Sequence, residues 1–410
     1  MTYINRIIRL NSFIDTYMKH LAIVITAFLL SFPAWGQLKL SNAEWKKLEN
    51  STINSVSWDR AILDYPRQVG KNAKKDIHGW GPVISLCVLN SGDHEGIGEM
   101  YEPDDNTRTA IRKAVEGHSV AELIDTDSKL VKKEYRKIDI AIYDLIGVIL
   151  NKPAYRLFGK PHSTKIPIYT GMIYLDDIEF ADPEEGMQRV LDNCRWDYEF
   201  GYRQFKLKTG RGFMWMNRKE GLERDIEITR RIHEEFPDVA ILVDANDAYT
   251  INETIAYLEA IKPLQLYWIE EPFRENVNDL RTLKVWKLQN APDMLITDGE
   301  FKPNHEEMMD LARKGLLDVF LQDIIGYGFT NWIELLPQLK ELGVQASPHC
   351  WKSFTKTIYV AYFGMIFGDV PTIEGATCFS KDIDLGGCRV ENGWFIPSDK
   401  PGFGITRTRK

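Results

Sequence analysis

From Pro167 onward the chain repeats one pattern. A short apolar or β-branched run is followed by a stretch whose apolar residues recur at helical spacing. The runs are IPIYTG, QFKLKTG, AILVDAN, LYWIEEP, MLITDGE, VFLQDI, VQASPH and TIEGA. Segments such as GLERDIEITRRIHEEF, INETIAYLEAIK and NWIELLPQLKELG lie between them and read as amphipathic helices. Strands alternating with helices in this way predict a parallel barrel rather than an open sheet. No long helical pattern follows TIEGA, so the last crossover helix is absent and the expected fold is α/β, a (β/α)7β modified TIM barrel over residues 165–378. Residues 379–410 read as loop and strand, free to return to the unit ahead of the barrel. That unit, residues 50–160, begins with short apolar runs broken by glycine (VISLCVLN, then GIGEM), which predict antiparallel strands over 53–103. Periodicity turns helical over 107–159 and ends in IDIAIYDLIGVILNKPAYRLFG, stopped by Gly159 and Pro161. Together these segments predict an N-terminal α+β capping domain completed by the C-terminal tail.

Composition narrows the partners. The 410 residues carry 51 Lys+Arg against 59 Asp+Glu, a net charge of −8, and the hydrophobic share of 44% is ample for a large core. Phosphate binding needs clustered cations, so no nucleic-acid partner is expected. The five cysteines are too scattered for a disulfide framework, their odd number leaves at least one unpaired thiol, and no Cys-x-x-Cys pair suggests zinc.

Residues 21–35, LAIVITAFLLSFPAW, form the one long apolar run. It is short for a membrane span of about 20 residues, follows Lys19, and leads to small residues at Ala34 and Gly36. It reads as a signal peptide over 1–36, starting at Met1 or Met18, with an uncleaved membrane-anchoring helix as the alternative. Cleavage predicts an exported protein, periplasmic or secreted, with no remaining membrane segment.

The predicted strands end in ionisable residues: Lys206 and Lys208, Asp244, Glu270 with Glu271, Asp298 with Glu300, Asp323, His349 and Glu374. Successive sites lie 23 to 38 residues apart, about one strand–helix unit, so they should converge on the C-terminal rim where barrel enzymes place their chemistry. Asp244, Glu270 and Glu300 make an all-oxygen set suited to Mg²⁺ rather than Zn²⁺, with Glu271 or Asp298 able to replace a neighbour. A rim of salt bridges to nearby lysines is the structural alternative. Lys206 and Lys208, two apart on a strand, should both point into the barrel mouth, where mutual repulsion would lower a lysine toward a useful base. Asp323 and His349 end successive strands; an acid on one imidazole nitrogen leaves the other free to move a proton. A metal site with a base on either side suits removal of the proton next to a carboxylate, through a stabilised enediolate.

These residues resemble the mandelate racemase subgroup of the enolase superfamily over about residues 50–405. The likeness is carried by GIGE (96–99) and the 138–159 segment of the cap. In the barrel it is carried by Lys-x-Lys at 206–208, Asp-x-Asn at 244–246, Glu-Glu-Pro at 270–272, Gly-Glu at 299–300, the Asp323/His349 pair and Glu374, and in the tail by NGWFIPSDKPGFGI. The resemblance implies one Mg²⁺ on Asp244, Glu270 and Glu300, Lys208 as base on one face, and Lys206 near the substrate carboxylate. It further implies His349, oriented by Asp323, as acid or base on the other face, and Glu374 hydrogen-bonded to the substrate carboxylate or enediolate oxygen. It also implies a homo-oligomer, dimer or octamer. After Asp323 the run IIGYGFTNW is one residue shorter than the family's usual stretch and lacks the basic residue often found there.

The expected partner is a small-molecule carboxylate, chosen by cap loops at 65–82, which hold Arg67, Lys71, Lys74, Lys75, His78 and Trp80, and at 99–105. Relatives with this residue set resemble acid-sugar dehydratases, so dehydration of an aldonate or aldarate leads. Racemisation or epimerisation of a 2-hydroxy acid, or cycloisomerisation of a sugar-derived acid, follows. A glycoside hydrolase needs only two carboxylates and has no use for the lysine pair. A secreted sugar-acid binder without catalysis is the most remote reading.

Overall fold

Side-chain parity along each strand explains how the core and the charges share one barrel. The computed structural model describes residues 36–301 and 304–408; the expected signal peptide falls almost wholly outside them. On β5 (Gln204–Lys208) Phe205 and Leu207 pack outward among the helices, while Lys206 and Lys208 point the other way. On β6 (Ala240–Asp244) and β7 (Trp268–Glu270) Leu242 and Trp268 turn inward below Asp244 and Glu270. Together with Tyr169 of β4 (Ile166–Ile173), Val319 of β9 (Val319–Phe320) and Leu321, they fill the barrel interior with an apolar floor.

The eight expected strands are all present, completed by β8 (Leu295–Asp298), β10 (Gln345–Ala346) and β11 (Ile373–Gly375). Hydrogen-bonded neighbours run β11-β4-β5-β6-β7-β8-β9-β10, each pair parallel. The seam between β10 and β11 is crossed by Ser347 Oγ, which donates to Thr372 O (2.8 Å), and by Ala346 N, which donates to Asp369 O (3.0 Å). Register places Lys208 opposite Asp244, and Asp244 opposite Glu270. The three therefore stand at one level of the mouth.

Helices at Pro183–Phe200, Arg218–Glu235, Ile251–Ile261, Val277–Asn290, His305–Arg313 and Phe329–Glu341 alternate with these strands. Side chains of Asp182, Asn217, Thr250, Asn276 and Asn304 cap the first five. The segment Phe354–Phe367 is apolar on nearly every side and accordingly buried along almost its whole length.

Ahead of the barrel, β1 (Ser55–Ile62), β2 (Val83–Ser91) and β3 (His94–Met100) form an antiparallel sheet in the order β1-β2-β3. Helices follow at Asp105–Val115 and Asp139–Leu150. The stretch 116–138, expected to be helical, instead holds short 3-10 turns, since Gly117, Ser119 and Asp125 favour turn and cap geometry there. The tail returns to this sheet: Arg407 pairs with Glu95 and Asp59 (3.0 Å to the latter), and Phe403 N donates to Asp144 Oδ1 (2.6 Å). Gly402, at φ 65°, is required because a Cβ there would lie 2.1 Å from Asp144 Oδ1. Leu38–Lys410 form one compact unit. Among the described residues no helix is long and apolar enough to cross a membrane, and all five cysteines are free thiols.

Candidate active site

Strand parity and register bring the predicted residues together at the C-terminal mouth of the barrel. Lys206 Nζ lies 2.9 Å from Glu270 Oε1, 2.9 Å from Glu374 Oε1 and 3.7 Å from Asp244 Oδ2. Lys208 Nζ is bonded to Asp244 Oδ2. On the far side, His349 Nδ1 faces Asp323 Oδ2 at 3.1 Å, and its Nε2 lies 3.3 Å from Glu300 Oε1 and 3.6 Å from Glu374 Oε2. Lys206, Asp244, Glu270 and Glu374 are fully buried, and Lys208 is 6% exposed. Glu374 fits because β4 carries a glycine beside its carboxylate: a Cβ on Gly171 would stand 2.6 Å from Glu374 Oε1.

Ligand oxygens of Asp244, Glu270 and Glu300 lie within 4.8 Å of one another, the one such acidic, His or Cys group among the described residues. Glu270 Oε2 and Glu300 Oε2 are buried with no hydrogen-bond partner. Burial lifts the Glu270 carboxyl well above the usual range, and the charges of Asp244 and Glu300 add to the lift against the opposing pull of Lys206. Orphaned buried oxygens of like charge fit a hard dication, so this chain's donor set suits Mg²⁺. Glu271 and Asp298, the alternatives, lie outside this group: Glu271 Oε1 accepts from Phe301 N (2.7 Å) and Asp298 Oδ1 from Gly299 N (2.7 Å), although each keeps its other oxygen buried without a partner. Backbone strain gathers beside the ligands, where Glu271 (φ 40°) and Lys352 (φ 91°) adopt left-handed conformations unusual for such residues.

The electrostatics of the lysines differ from the sequence expectation. Burial lowers both ammoniums, but carboxylate charge more than reverses it: Asp244 raises Lys208, and Glu270 with Glu374 raises Lys206 further. Mutual repulsion between the two lysines is the weaker influence while every partner is an acid. Glu374 stays below its usual range because Lys206 and His349 outweigh its burial. An ionised Glu374 has no proton to donate, so Lys206 is the donor at hand for a substrate oxygen.

The cap meets the mouth unevenly. A cavity of about 580 Å³ opens beside His349 and Glu300, lined from the cap by Arg60, Glu99 and Tyr101 and from the barrel by Trp351 and Lys352. Tyr101 Oη donates to Asp323 Oδ1 (3.2 Å), so the 99–105 loop reaches the site. Most of the 65–82 loop does not offer free charge. Arg67 is clamped on Asp197 (2.7 and 3.0 Å), Lys71 on Glu179 (2.8 Å) and Lys74 on Asp247 (2.8 Å). His78 packs edge-on against Tyr174, whose ring also lies under Lys208 Nζ. Burial depresses this imidazole to about 4, so it is neutral, and its Nδ1 is hydrogen-bonded to Gly70 O (2.8 Å). Sequence reading missed Lys356, whose Nζ lies 2.6 Å from Asp323 Oδ2; a lysine inside an apolar helical run gives no local sign of its partner.

The enolase C-terminal domain-like family model matches residues 189–410. This chain belongs to that family. Within the enolase superfamily its likeness is to the mandelate racemase and muconate lactonizing group. Arabinonate dehydratase of Saccharolobus solfataricus is 23% identical over 66% of this chain and 68% of its own. A galacturonate dehydratase mutant from Geobacillus sp., solved in complex with Mg, is 28% identical at a TM-score of 0.84, covering 90% of this chain and 95% of its own. A mandelate racemase/muconate lactonizing protein from Geobacillus sp. Y412MC10, complexed with magnesium and tartrate, is 28% identical at a TM-score of 0.83, covering 88% and 94%. This enolase-superfamily member is an enzyme, and its relatives include dehydratases, racemases, epimerases and cycloisomerases.

Proposed function

We propose that this enzyme dehydrates a sugar acid, an aldonate or aldarate, by removing the proton α to its carboxylate. The observation that carries the reading is the placement of Lys208 and His349 on either side of the converging Asp244, Glu270 and Glu300. Those three acids would hold Mg²⁺, which when bound supplies the Lewis-acid charge that makes a proton beside a carboxylate removable. Asp244, which here pairs with Lys208, would give its oxygens to that cation, and Lys208 Nζ, as the free amine, is the atom placed to take the α-proton. Lys206, held by Glu374, donates to the substrate carboxylate and to the enediolate oxygen that follows. His349, held through Nδ1 by Asp323, keeps Nε2 toward Glu300 and Glu374 and protonates the departing hydroxide.

The same two-sided arrangement supports a second reading, inversion at the α-carbon by Lys208 and His349 acting in turn. Proton exchange in D₂O with Mg²⁺ over a sugar-acid and hydroxy-acid library separates the two. Loss of water from one acid supports dehydration; α-deuteration without mass loss supports a racemase or epimerase. No exchange with any member would sink both.

Three further expectations belong to this reading. Residues 50–160 act as cap, 165–378 as catalytic barrel and 379–410 as the returning tail. The enzyme assembles as a dimer or octamer, to be read by light scattering. Cleavage after Gly36 delivers it outside the cytoplasm, and a mature N-terminus other than Gln37 would count against that.

A further inference from the structure

Asp323 faces two side-chain nitrogens with one oxygen. Its Oδ2 is 3.1 Å from His349 Nδ1 and 2.6 Å from Lys356 Nζ. Its Oδ1 is fixed by the backbone, accepting from Gly326 N (2.8 Å) and Ile325 N (3.1 Å), and by Tyr101 Oη. The freedom left to the carboxylate is a pivot about that anchored oxygen, which would swing Oδ2 away from the imidazole. Lys356 is 4% exposed and rises from the buried helix Phe354–Phe367, so its own position is set by packing. Beside it, Glu99 of the cap sheet is buried and accepts from Ser353 (2.5 Å) and Thr355, fixing the first turn of that helix.

We propose that Lys356 is a positioning residue that pins Asp323 Oδ2 and so fixes the His349 ring, with Nε2 directed toward Glu300 and Glu374. The cap takes part through Glu99, which holds the turn that carries Lys356. This assigns work to the cap's GIGE segment beyond lining the cavity. The proposal rests on the reading of His349 as an acid–base group, but its first test needs no substrate.

Proton NMR of the metal-free protein should show a downfield Nδ1–H resonance, assigned to His349 by its loss in His349→Asn. Wild type and Lys356→Arg should retain it, and Lys356→Met should lose or broaden it with circular dichroism unchanged. Should Lys356→Met not fold, Lys356→Gln, which keeps length and a polar end without charge, carries the same expectation. A lower melting temperature with the resonance unmoved would make Lys356 merely structural and overturn the proposal. With a substrate in hand, Lys356→Met should lower kcat about tenfold or more with KM within about threefold, and Lys356→Arg should restore it. A change in KM alone would also overturn it. Resonance loss alongside a wild type that exchanges no α-proton would leave the positioning role intact and sink the proposed reaction instead.

Discussion

Two clusters of buried charge lie near the rim of this barrel, and they are built on opposite rules. Behind the mouth, Arg211 bridges Asp177 and Asp225 at 2.6 Å each, Arg224 adds a second cation to Asp177 at 3.1 Å, and Gly210 N and Tyr249 Oη complete Asp225. Two cations meet two acids, and none of their side-chain atoms is left buried without a partner. In the mouth, Lys206 and Lys208 pair with Asp244, Glu270 and Glu374 while Glu300 faces His349 Nε2, so four acids stand against two lysines, and oxygens of Glu270 and Glu300 are orphaned. A satisfied network serves the fold; one with two acids beyond its lysines and orphaned oxygens serves a ligand. Burial and ion pairing alone do not distinguish them, and the count of unmet groups does.

The largest effect tests the mouth. Lys208→Ala and His349→Asn should each lower kcat/KM about 10³-fold, the range of a lost acid–base group, while far-ultraviolet circular dichroism stays unchanged. Near-wild-type turnover in either variant would remove that residue from the chemistry.

The paired cluster should respond in the other currency. Arg211→Met strands Asp225 and leaves Asp177 to Arg224 alone, and should cost about 3–5 kcal/mol in urea unfolding, with turnover per folded molecule little changed. A variant that keeps its stability would show that the network is ornamental.

Mg²⁺ should separate the clusters directly. At 100 times its dissociation constant it should add about 2.7 kcal/mol to stability, seen as a rise in melting temperature that EDTA reverses. Glu270→Gln should abolish this rise while Arg211→Met preserves it.

A third kind of buried charge sharpens the contrast. Asp144 accepts from Ile97 N (2.7 Å) and Phe403 N but has no cation, and burial raises it to about 7 from 3.8. The folded chain therefore keeps a proton that the unfolded chain loses, so ionisation works against folding. Stability should fall by roughly 1.4 kcal/mol per pH unit between about pH 4 and 7 and level off above, an effect read from urea midpoints against pH. Asp144→Asn should flatten that slope. A slope unchanged in the variant would place the titration elsewhere.

Much of this was legible along the chain. Alternation at Phe205-Lys206-Leu207-Lys208 already told which face each lysine takes, because strand parity is a local property of the backbone. Asp244, Glu270 and Glu374 on their strands followed from the same parity, and the places of Asp323 and His349, three residues past β9 and β10, from the length of one strand–helix unit. The tertiary structure decided how each charge is used. Arg67, Lys71 and Lys74 look alike in one loop, yet each is taken by a different acid, Asp197, Glu179 and Asp247, far off in sequence. The expected fall in lysine basicity gave way to a rise, since the nearest charges proved to be carboxylates on neighbouring strands. Lys356 sits in an apolar helical run, and Gly171 is one small residue in a strand. Only packing shows that the first grips Asp323 and the second makes room for Glu374. The sequence determined where the charges stand because periodicity is local; their partners were decided by contacts between segments far apart along the chain, which no local pattern encodes.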